Sequence, residues 1–254
     1  MVLIRKILPF VTPIVSAILL ELLIAYPLYL YVWLGLLVLA VFGSVWLIIK
    51  GEVHRMPFYY LALFPLFFIL SVVFFMLFVQ NPVFRHLCVA GGALMLGIAM
   101  HNIYTFIREP FKYQPYALEN IAGYINTLTL FFSIAGLAYT KLLLNVRMVV
   151  LMPLILALIF FISLQTFWAQ KVNAPRLLVY AGIFSLGIME VSLASLFLPV
   201  APFVQSLIIT AVYYFFMNIT SDYLLSRLER ESVQRYAILS VIVLLAVFFT
   251  TRWK

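Results

Sequence analysis

The sequence predicts an all-α, polytopic helical membrane protein of about nine transmembrane helices, with eight as the alternative count and the N-terminus in the cytoplasm. Three observations carry this. Hydrophobic residues make up 67% of the chain and charged residues only 9%, against about 45–50% and about 25% in soluble domains. Apolar runs of about 20 residues, the length that crosses a bilayer core, tile the chain from end to end. The basic residues sit at the ends of those runs, where the positive-inside rule places them. No stretch is left for an extramembrane domain of about 100 residues, so 1–254 is read as a single membrane-embedded domain.

The predicted spans are 7–26, 28–49, 57–79, 85–107, 118–140, 147–169, 176–198, 200–224 and 234–251. Arg5 and Lys6 precede the first. They give the start the look of a signal peptide, but the apolar run continues to Pro27 and is read as an uncleaved span. The first two spans are the most debatable, because Glu21 is the only charge between Lys6 and Lys50. One helix over that run would be about 65 Å long, twice a bilayer core. Ala25-Tyr26-Pro27 is the expected hairpin, since proline cannot continue the hydrogen-bond ladder. The seventh and eighth spans meet at a second uncharged turn, Leu198-Pro199-Val200-Ala201-Pro202. The longer connections, 108–117 and 225–233, fall on the inner side, and the first reads as a surface-lying connector.

With the N-terminus inside, inner segments hold Arg5, Lys6, Lys50, Arg55, Arg108, Lys112, Lys171, Arg176, Arg227, Arg230 and Arg235. Outer segments hold Arg85, Lys141, Arg147, Arg252 and Lys254, so the count is eleven against five. The net charge of +8 is therefore topological, and no nucleic-acid partner is expected. The expected surroundings are the lipid bilayer and other membrane subunits. The single cysteine, Cys88, forms no intrachain disulfide.

Ionisable groups inside spans are costly and are functional candidates by default. Glu21 and Glu190 each stand 14 residues from a span start, about 21 Å deep, with no Lys or Arg at that depth. Protonation, or a hydroxyl or amide partner, is the expected way they are tolerated. With His101 they form the candidate intramembrane proton site. The fifth span carries Glu119, Gly123, Asn126, Thr129, Ser133, Gly136 and Thr140 at helical spacing, one small and polar stripe. Such a stripe serves close helix packing or lines a pathway. The fourth has a matching series, Ala90, Ala93, Gly97, His101 and Thr105. Pro13, Ala17, Glu21 and Ala25 share one face of the first span, so Glu21 is expected to face another helix. Asn126, Thr129, Ser133, Gln165, Asn218 and Asp222 form the candidate polar stripe or inner vestibule, with His101 expected near Asn126.

His54, His86 and His101 share no ligand spacing, so no metal and no cofactor is expected. Nucleotide-cradling glycine loops, HExxH zinc sites and Gly-x-Ser-x-Gly elbows are absent from the sequence. Three functions fit. The first is a proton-coupled small-solute transporter or channel-like carrier. The second is a non-catalytic assembly or scaffold subunit. The third is a membrane-embedded enzyme acting on lipid or isoprenoid-linked substrate, with Arg108 and Lys112 holding a phosphate headgroup. A prokaryotic cytoplasmic membrane is the expected location.

Overall fold

The computed structural model describes residues 2–50, 58–172 and 177–250. Arg55, Arg176, Arg252 and Lys254, which enter the charge count, lie outside them, as do His54 and Trp253. The described residues form nine long α-helices. These are α1 (Val2–Ala25), α2 (Leu30–Ile49), α3 (Phe58–Met76), α4 (Pro82–Arg108), α5 (Ala117–Leu144), α6 (Met148–Ala169), α7 (Leu177–Ser195), α8 (Pro202–Leu224) and α9 (Arg230–Thr250). Eight are long and apolar enough to cross a membrane. The ninth, α3, runs over 19 residues without a charge, about 28 Å. The first two runs form two separate helices, α1 and α2, parted at Tyr26. The residues after Met76 leave the α-helix in tighter i→i−3 turns, Phe78 N–H to Phe75 and Val79 N–H to Met76, and their apolarity does not lengthen it.

Local chemistry explains the ends. Tyr26 breaks α1 from a short 3-10 turn at Pro27–Tyr29, and the Trp33 indole donates back to the Tyr26 carbonyl at 3.2 Å. Asn81 caps α4 by accepting from the Phe84 N–H, with Pro82 in the first helical position. Pro202 opens α8 in the same way. Both α6 and α8 end in Schellman motifs. Val172 N–H reaches Phe167 O and Lys171 N–H reaches Trp168 O; Arg227 N–H reaches Asp222 O and Ser226 N–H reaches Tyr223 O. Lys171 and Ser226 occupy the left-handed position with φ of 58° and 54°.

The chain divides into two compact units, Met1–Ile125 and Asn126–Lys254, with α5 contributing to both. In the first unit α1 packs on α2 and α4, and α3 packs on α2 and α4. Leu37, Val41, Ile48, Phe64, Phe68 and Leu96 are fully buried there. Two arginines of α4 secure the ends of its neighbours. Arg85 donates Nε and Nη2 to the Val79 carbonyl, at 3.2 and 2.6 Å. Arg108 donates to the Ile48 and Lys50 carbonyls at the end of α2, at 2.8 and 2.6 Å. The Ile48 and Lys50 carbonyls have no partner inside α2, and a guanidinium there also complements the negative helix end.

In the second unit α5, α6, α7 and α8 share one core, with Leu130, Ile134, Ile159, Ala181, Ile188, Ile209 and Met217 at its centre. α9 packs on α8. The Tyr236 hydroxyl donates to Asp222 at 3.0 Å and the Ser240 hydroxyl to the Ala211 carbonyl at 3.3 Å. The remaining faces of α9, with Ile238, Ile242, Leu245 and Phe249, are exposed and apolar, as lipid-facing helix surfaces are.

Candidate functional site

Two polar clusters emerge, one in each unit. The first lies on the antiparallel seam between α1 and α4. Phe10 meets the His101 ring at 6.2 Å, Pro13 lies against Gly97, and Glu21 Oε1 lies 2.9 Å from His86 Nδ1. Glu21 is four residues from the end of α1 and His86 four residues into α4, so each is about 6 Å from a helix end. The pair is half-exposed, at 45% and 56% for the two side chains. The partner of Glu21 is thus not a Lys or Arg but a histidine 65 residues away, brought in by the seam. His101 stands on the same seam but is exposed, and its imidazole makes no hydrogen bond among the described residues.

The second cluster is buried inside the second unit. Asn126, 1% exposed, donates Nδ2 to Thr166 Oγ1 at 3.0 Å. Thr166 donates to the Ile162 carbonyl at 2.8 Å, and its Oγ1 lies 3.3 Å from the Tyr213 hydroxyl. α5, α6 and α8 are thereby tied at one point. Thr129, Ser133 and Gln165 are also buried. Asn218 is partly buried and donates to the Tyr214 carbonyl of its own helix at 2.7 Å. Asp222 is engaged by Tyr236. Asn126, Thr129 and Ser133 of α5 are thus buried, and within the second unit Asn126 bonds Thr166, which in turn lies against the Tyr213 hydroxyl. Thr166 escaped notice in the sequence because its neighbour Gln165 is the more polar residue; α6 buries both.

Thr166→Val keeps the shape but leaves Asn126 and Tyr213 without their partner. Intramembrane bonds of this kind contribute about 0.6 kcal/mol each on average, so a loss of about 1 kcal/mol is expected in reversible unfolding in detergent. An unchanged transition would mean these bonds contribute nothing.

Glu190 is no part of the second unit's cluster. It is exposed on α7 and makes no hydrogen bond or ion pair among the described residues. Ser185, Ser192 and Ser195 of the same helix are buried and donate to backbone carbonyls. Glu21 and His101 belong to the first unit and Glu190 to the second, each with its own surroundings.

The connector after α4 is ordered by its own side chains. Lys112 pairs with Glu109 at 2.8 Å, and Phe106 packs edge-on against Tyr113 at 5.0 Å. Arg108 is on carbonyls and Lys112 on a carboxylate, so neither is the open phosphate clamp the lipid-enzyme reading assigned to them. The Tyr113 hydroxyl donates to Glu119 at 2.6 Å and accepts from the Leu118 N–H at 2.9 Å. Burial first, then the bond to the Glu119 carboxylate, pushes the phenol up to about 12 from 10.0. A folded value raised above the unfolded one gives stability that is complete below about pH 10 and declines as pH rises to about 12. The melting temperature in detergent should therefore fall more steeply between those limits in the wild type than in Tyr113→Phe. Parallel profiles would show that this anchor carries no linkage.

Among the described residues no group of three His, Cys, Asp or Glu side chains could hold a metal ion. The fold and its polar clusters define a multi-pass helical membrane protein, whose spans are apolar on the outside and tied by hydrogen bonds within. The chain belongs to the family described as "Protein of unknown function (DUF5656)", whose model matches residues 50–250. No curated protein and no solved structure matches it.

Proposed function

We propose that this protein is a proton-coupled carrier of small solutes in a prokaryotic cytoplasmic membrane, oriented with its N-terminus inside. The observation that supports the reading is the Glu21–His86 contact. A carboxylate and an imidazole in direct contact form a two-group proton site. Here the two groups sit on different helices. With one proton shared between them, α1 and α4 are held together at this end. With a second proton the carboxylate becomes a neutral acid beside an imidazolium, and the attraction is lost. Proton occupancy thus sets the strength of a contact between two spans, which is what coupling to a solute-dependent movement requires.

The test is solid-supported-membrane electrophysiology on proteoliposomes under an inward proton gradient, across a panel of amino acids, sugars, nucleosides and organic cations. Wild-type protein should give a solute-dependent current that Glu21→Gln and His86→Gln each abolish while their melting curves stay cooperative. Absence of current for every solute, or currents unchanged in both variants, would overturn the proposal. The exposed Glu190 favours one further reading, an assembly subunit in which another membrane helix supplies its partner. Loss of a co-purifying subunit in Glu190→Gln would mark that case, and an identical set of co-purifying proteins would remove it.

A further inference from the structure

We infer that the second unit carries a binding site for a phospholipid with a net anionic phosphate headgroup, at the end of α5 where Lys141 meets the α7–α8 connection. An open cavity of about 910 Å³ lies there, at the upper end of the range typical of ligand sites. Ala138, Lys141 and Asn145 of α5 and its exit form one side; Leu198, Ala201 and Gln205 form the other. The connection is held in shape by the Gln205 side-chain amide, which donates to the Leu198 carbonyl at 3.2 Å from an 8% exposed position.

The charge of the cavity selects the ligand. Lys141 is the only charged residue lining it, and no carboxylate does. The Lys141 ammonium has no ion-pair partner among the described residues. The first turn of α8 also forms part of the wall, and Ala201 gives it no side-chain cap. The positive end of that helix therefore adds to the lysine. Such a site attracts a phosphate and offers nothing to the ammonium of a zwitterionic headgroup. The walls select a lipid over a free anion. Leu142, Leu198 and Phe203 line the cavity with exposed apolar surface, which inorganic phosphate does not cover and acyl chains do. Deeper in the same helices, a water-sized void of about 10 Å³ shares Ala138, Leu196 and Gln205 with the cavity. This site involves neither Glu21 nor His86 and is independent of the transport reading.

Native mass spectrometry of the full chain tests it, in detergent with equimolar phosphatidylglycerol and phosphatidylcholine. One lysine near an anionic lipid contributes about 1 kcal/mol, or about fivefold in affinity. Wild-type protein should retain phosphatidylglycerol over phosphatidylcholine by about that factor. Lys141→Gln should bring the ratio close to one, and Ala201→Trp, which fills the cavity from an exposed position, should reduce retention of both lipids. Glycerol phosphate, the headgroup without chains, should bind no better to wild type than to Lys141→Gln. Equal retention of the two lipids by wild type overturns the inference, as does a Lys141→Gln ratio equal to wild type. Retention unchanged by Ala201→Trp also overturns it. Binding of glycerol phosphate as strong as that of the lipid would mark a free-anion site and overturn it too.

Discussion

Gly97→Leu is expected to destabilise the first unit by about 3 kcal/mol, the upper part of the usual range for overpacking a seam. A Cβ on Gly97 would stand 3.2 Å from Cγ and 3.6 Å from Cβ of Pro13. The pyrrolidine ring has no rotamer to move into, and Pro13 lies inside α1, so the clash can be relieved only by shifting a helix. That shift would separate the other contacts of the seam, Phe10 with His101 and Glu21 with His86. Gly91 is the control: a Cβ there meets nothing within 4 Å, so Gly91→Ala should leave stability unchanged or slightly raised. Thermal unfolding in detergent compares the two. A Gly97→Leu protein that melts with the wild type would show that the seam does not depend on close approach.

Arg108→Ala is the second large effect, at about 2 kcal/mol, because bonds from a charged donor contribute more than neutral ones. The guanidinium serves two carbonyls of the α2 terminus at once, 60 and 58 residues away in sequence. Its loss leaves the Ile48 and Lys50 carbonyls without that donor. Arg108→Lys should recover less than half of the loss, since an ammonium is a point donor and the fork is what reaches both oxygens. Hydrogen exchange should then be fastest in the last turn of α2. Protection there equal to wild type would show that another group or water caps the helix.

Much of the fold is legible in the sequence, and for local reasons. The hairpin at Tyr26-Pro27 and the turn that ends at Pro202 both follow from what proline does to a helix. The nine helices match the nine apolar runs to within a few residues at most ends. The length of α3 was less legible, because Leu77, Phe78 and Val79 are as apolar as the helix they follow. Only their hydrogen bonding shows that the α-helix has ended.

The polar residues divide along the same line. The α5 stripe is periodic, so its burial can be anticipated; Asn126, Thr129 and Ser133 all face inward. Which residue meets Asn126 is not a periodic property. Thr166 lies 40 residues further along the chain, and only the packing of α5, α6 and α8 brings it to Asn126 and Tyr213 to it. Lys141 reads in the sequence as one more charge at a helix end. Folding of the α7–α8 connection beside it makes it the one cation lining a cavity.

The sequence by itself determined the class of protein and the main places where the chain turns, because hydropathy and proline act within a few residues of themselves. The tertiary structure decided the partners: His86 for Glu21, Thr166 for Asn126, the α2 terminus for Arg108. Those depend on the register and rotation of one helix against another. Side-chain fit such as that of Pro13 into the space at Gly97 sets them, and no single helix carries that information in its own periodicity.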